Sequence, residues 1–147
     1  MKAIVLAVFF VVGAASPTVA QIRPADVPEW ADSDFRHSPQ FAGYDYPDLS
    51  PGMAIADFDG DGCDDVAVEI KSRDGLQRGL ALIHFADGSV HIIGAGTGVG
   101  DGDVEVRDWG TIRLHHHKTG IWAKTTVFGD GGTIVWDGHA YRWTANP

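Results

Sequence analysis

From Met53 onward the chain alternates short runs of β-forming residues with polar breaks, and the runs are too brief to be helices. Met53-Ala54-Ile55-Ala56 and Val66-Ala67-Val68-Glu69-Ile70 bracket an acidic stretch. Leu80 to Phe85, Asp87-Gly88 and Val90 to Ile93 predict one hairpin, and Thr133 to Trp136, Asp137-Gly138 and Ala140 to Trp143 predict another. Asp-Gly between apolar runs is the strongest short-range hairpin signal, and Asp74-Gly75 and Asp130-Gly131 repeat it. Ile112 to His117 and Ile121 to Phe128 add two strands around Lys118-Thr119-Gly120. About eight short strands of this kind predict a mainly β, small single domain, mostly antiparallel and curled or sandwiched.

Residues 21–52 have a different texture. They hold five of the seven prolines and little alternation, so they read as an N-terminal segment that packs on the β domain of residues 53–147. Pro28 to Phe35 predicts the one short helix, with Pro28 in its first turn and Trp30 and Phe35 covering the core from one side. Tyr44 to Gly52 reads as an extended loop. Ahead of this segment, Met1-Lys2, the apolar run Ala3 to Ala15 and Ser16-Pro17-Thr18-Val19-Ala20 have the three regions of a secretory signal peptide (residues 1–20), with cleavage expected near Ala20. The apolar run is too short for a comfortable membrane span, and the mature chain has no other segment that is long and apolar enough. The expected location is therefore outside the cytoplasm, periplasmic or secreted.

Removing the leader takes away one lysine and no acid, leaving ten basic against twenty acidic side chains in 127 residues. A net −10 argues against nucleic acid or anionic lipid as a partner and suits a basic protein partner. Cys63 is the only cysteine, so no disulfide forms within the chain, and stability has to come from the core and any bound metal.

The acidic stretch Asp57-Phe58-Asp59-Gly60-Asp61-Gly62-Cys63-Asp64-Asp65 places five carboxylates in nine positions. Like charges so close call for a counter-cation. Carboxylates at loop positions 1, 3 and 5 (Asp57, Asp59, Asp61), glycine at 6 (Gly62) and a backbone carbonyl at 7 (Cys63) are the oxygen ligands of a hard Ca²⁺ site. Position 12, where an EF-hand carries its bidentate Glu, is Val68, so Asp65 at position 9 is the candidate to close the cage. The flanks are strands rather than helices.

With strand flanks, the run Ile55-Ala56-Asp57-Phe58-Asp59-Gly60-Asp61-Gly62 through Asp65-Val66-Ala67-Val68 resembles the calcium loop of FG-GAP or VCBS-type repeats, found in integrin α-chain propellers and many bacterial surface proteins. The resemblance implies side-chain ligands at Asp57, Asp59, Asp61 and Asp65 and a carbonyl ligand at Cys63. It covers one motif, and a propeller needs several such units, so a full propeller is not implied. More broadly, Ala54 to Trp143 is similar to small exported single-motif bacterial proteins of unassigned activity.

Other candidates are weaker in pattern. In the strand carrying His115-His116-His117, His115 and His117 share a face, so a metal-dependent hydrolase is one alternative, with a third ligand drawn from His84, His91 or His139. The stretch Gly94 to Asp103 lacks G-x-G-x-x-G spacing and a following helix, and reads as an acidic surface loop, with Asp101 and Asp103 as candidates for a second, weaker cation site. Five tryptophans suggest a carbohydrate-binding module as another alternative, although most large rings in so small a domain belong in the core. Alternation places Glu69 on an ordinary strand face. The reading that fits most of these features is an exported, calcium-stabilised β module that acts by binding a protein or glycan, with structural Ca²⁺ and no catalytic residues.

Overall fold

The computed structural model describes residues 24–48, 51–98, 113–117, 120–124 and 132–145. The predicted leader, Asp101, Asp103, Trp109 and the turn at Asp130-Gly131 lie outside the described residues. Among the described residues the architecture is mainly β, with two antiparallel sheets, one α-helix and no closed barrel.

The first sheet contains β1 (Tyr44–Asp45), β2 (Met53–Ala56), β3 (Asp65–Ser72), β4 (Arg78–Ile83) and β5 (Val90–Gly94). Its order is β1-β3-β4-β5, and β2 pairs with the other half of the same edge of β3. The second sheet runs β6 (Arg113–His117), β7 (Gly120–Lys124), β8 (Gly132–Trp136) and β9 (Tyr141–Ala145) in sequence order. Helix α1 (Glu29–His37) and a 3₁₀ turn at Pro39–Gly43 complete the chain order.

Period-two alternation in the central strands divides their side chains between two cores. Val66, Val68 and Ile70 of β3, with Ala81 and Ile83 of β4, pack under α1 against Val27, Ala31 and Phe35, which are spaced four apart. On the opposite face, Ala67, Leu80, Leu82 and Ile93 pack with Ile121, Ile134 and Tyr141 of the second sheet. The result is three layers, helix on sheet on sheet. Pro28 is the N-cap of α1, its carbonyl accepting from Asp32 at 3.0 Å, and the helix stops at Ser38, ahead of Pro39.

Three details depart from the sequence expectations. The Asp-Gly pairs do mark turns, two of them with four residues inside the closing bond and the third with two. Ser72 N–H donates to Gln77 O (2.8 Å), His84 N–H to Ser89 O (3.0 Å) and Asp137 N–H to Ala140 O (3.1 Å). In each, the aspartate accepts from the amide two residues on (Leu76, Ser89 and His139), while the glycine takes a positive φ. The stretch at Tyr44 is not purely loop, because Tyr44 and Asp45 pair with Ser72 and Lys71. Glu69 is not on an ordinary face: it is buried on the inter-sheet side, bonded to Arg78 at 3.0 Å and to the Gly52 amide at 3.3 Å.

Candidate metal centre

The acidic loop connects β2 to β3 at the end of the sandwich, and the pair Ala56↔Asp65 closes its base. Phe58, between the first two acidic positions, is buried in the inter-sheet core and anchors the loop. The loop then wraps inward. Asp57 accepts from the amides of Gly60 (2.6 Å), Asp61 (3.1 Å) and Gly62 (3.0 Å). Asp59 accepts from Asp61 N–H (3.0 Å), and Asp61 from Cys63 N–H (2.7 Å). Gly62 has φ +91, a left-handed conformation that a side chain would strain.

This wrapping brings one carboxylate oxygen each from Asp57, Asp59 and Asp61 within 4.8 Å of one another. Oxygen ligands of Ca²⁺ lie 2.3–2.6 Å from the ion, so two ligands of one ion are at most about 5 Å apart. The three side chains therefore fit a single hard cation. No basic side chain among the described residues forms an ion pair with Asp57 or Asp61. The same carboxylates, Asp61 first, push the Cys63 thiol above its usual range.

Asp65 belongs to a different neighbourhood. It is 0% exposed, with Oδ2 accepting from Phe58 N–H and Oδ1 from Phe85 N–H, each at 3.0 Å. It thereby ties the loop to the turn after β4. Burial pushes its carboxyl above the usual range, and Asp59 adds to this, while the two amides and His84 pull the other way. Its nearest metal-ligating companions are Asp59 and His84 rather than Asp57 and Asp61.

His84 was only one of several possible partners for the histidine run, yet it sits at the centre of this region. Strand alternation puts it on the face of Leu80 and Leu82, where it is 3% exposed. Its Nδ1 lies 3.3 Å from Asp59 Oδ2, and its Nε2 lies 2.6 Å from the Tyr141 hydroxyl. The rings of His84, His91, Trp136 and Tyr141 pack together with centroid separations of 4.9 to 5.7 Å. Burial, then Asp65 and Asp59, push the Tyr141 phenol above its usual range, so it stays protonated. Burial, then His84, hold the His91 imidazole below its usual range. A cleft of about 190 Å³ opens beside Tyr141, with His91 and His139 on its walls.

The clue to His84 and Tyr141 in the sequence was faint: a histidine at the third apolar-face position of Leu80 to Phe85, and a tyrosine on a late hairpin. His115, His116 and His117 lie in β6, paired by backbone register with Trp122, Ile121 and Gly120, and their side chains lie outside those described. Trp30 packs edge-on against Phe85, and Trp136 and Trp143 are partly buried against the core. No helix among the described residues is long and apolar enough to cross a membrane. In comparisons with protein families, curated proteins and solved structures, no match to this chain was found.

Proposed function

We propose that this chain is an exported interaction module whose acidic loop holds one structural Ca²⁺. Asp57, Asp59 and Asp61 supply carboxylates, Cys63 a backbone carbonyl, and Asp65 fixes the loop base from the core side. The observation that carries this reading is the convergence of three carboxylates within 4.8 Å at the mouth of a strand–loop–strand turn, without a basic side chain among the described residues paired to Asp57 or Asp61. A multi-carboxylate cage already bonded to its own loop amides suits a metal that secures structure, since a catalytic ion needs an open position for substrate. The strongly acidic mature chain favours a basic protein partner through electrostatic complementarity. Calorimetric titration of Ca²⁺ into chelator-treated protein tests the metal: one site is expected, lost in Asp57→Asn and Asp61→Asn. An absence of binding in the parent protein sinks the reading.

A further inference from the structure

We propose that Asp59, Asp65 and His84 form a second cation site, on the buried side of the loop, for a first-row divalent ion of the zinc type. The site shares Asp59 with the calcium reading but rests on its own donors. One atom from each residue lies within 4.8 Å of the other two. The Nδ1 to Oδ2 separation of 3.3 Å is longer than the usual charge-assisted hydrogen bond of about 2.7–2.9 Å. It matches the spacing of two ligands on one tetrahedral ion: donors about 2.0–2.2 Å from zinc lie about 3.3–3.5 Å apart.

Burial gives the second, independent argument. Asp65 and His84 are both more than nine-tenths buried, and Asp65 has no Lys or Arg partner among the described residues. A buried carboxylate with a second one beside it is costly without a cation. The outer contacts also suit ligation. Tyr141 meets His84 Nε2 at 2.6 Å, which aims Nδ1 at the carboxylates, as a metal-bound histidine is commonly oriented through its other nitrogen. Each Asp65 oxygen accepts one amide, which leaves each a further lone pair. An imidazole with two carboxylates selects a borderline ion, whereas calcium prefers an all-oxygen shell.

The test is titration of Co²⁺, a visible surrogate, into the Ca²⁺-saturated full chain, followed by Zn²⁺ competition. One equivalent of Co²⁺ is expected to give a visible ligand-field band that Zn²⁺ erases. In ¹⁵N-imidazole spectra, Zn²⁺ should shift His84 Nδ1. His84→Gln should abolish the band and keep the Ca²⁺ response. Tyr141→Phe should weaken Co²⁺ binding about tenfold or more by freeing the ring. Asp61→Asn should lose Ca²⁺ and keep Co²⁺, so the two sites fail separately. An unshifted His84 Nδ1, a band that survives His84→Gln, or a band that vanishes in a His115→Ala, His117→Ala double variant overturns the proposal.

Discussion

Asp65→Asn separates the role of the buried carboxylate in holding the fold from any role as a metal ligand. Both Asp65 oxygens accept buried amides, from Phe58 and Phe85. Asparagine keeps one acceptor, but its NH₂ group faces the other amide donor to donor. Losing a hydrogen bond to a charged acceptor and stranding a buried N–H costs about 1.5–3 kcal/mol. Removing the desolvated charge returns part of that, leaving a net loss of about 1–3 kcal/mol. For a chain of this size each kcal/mol moves the midpoint about 4 °C, so the melt should fall about 4–12 °C. The assay is thermal unfolding followed by circular dichroism in EGTA, with Asp61→Asn as comparator. Asp61 is exposed and holds only the Cys63 amide and its own loop, so its metal-free melt should stay within about 0.5 kcal/mol of the parent. If Asp65→Asn melts within about 2 °C of the parent in EGTA, or no lower than Asp61→Asn, the amide bonds are not what holds the loop base.

Two further outcomes follow from the same geometry. Tyr141→Phe keeps the packed ring but leaves His84 Nε2 without its partner, and should lower stability to chemical denaturant by about 1–2 kcal/mol with an unchanged m-value; no change contradicts the bond to His84. Asp137 is held down to about 2 by Arg142 first and then by the Ala140 and His139 amides. A carboxyl depressed in the folded state adds stability that is present above its unfolded value near 3.9 and is lost as pH falls through the folded one. Asp137→Asn should therefore lower the melting temperature at pH 6, and the difference from the parent should shrink between pH 4 and 2. A difference independent of pH refutes the assignment.

The parts of this protein legible in its sequence are those set by local chemistry. Spacing identifies Asp57, Asp59 and Asp61 as a cluster, because alternate carboxylates followed by the turn glycines Gly60 and Gly62 can fold inward together. The runs from Met53 to Ile93 are legible because short, nearly continuous stretches of β-forming residues match a sheet buried on both faces. Turn position is legible and turn length less so: Asp-Gly marks the bend and each aspartate accepts from the amide two residues on, yet the turns at Asp74 and Asp87 close over four residues and the one at Asp137 over two. What stays hidden depends on long-range placement. The bond between His84 and Tyr141 joins residues 57 apart across two sheets, and no local pattern announces it. Alternation alone places Glu69 on an ordinary strand face, and only the neighbouring strand shows that Arg78 pairs with it there. Asp65, the expected closing ligand, is drawn instead toward two amides and His84, because the strand that begins with it points it into the core.

The measurement that bears most directly on the central claim is the thermal midpoint of the protein in EGTA and in excess Ca²⁺, alongside Asp59→Ala and Asp61→Ala. With Ca²⁺ at a hundredfold over its dissociation constant, binding to the folded state alone adds about 2.7 kcal/mol. That corresponds to a rise of about 10 °C for a chain of this size, absent in both variants. Identical midpoints with and without Ca²⁺ in the parent, with its metal content verified as empty before addition, would contradict the account.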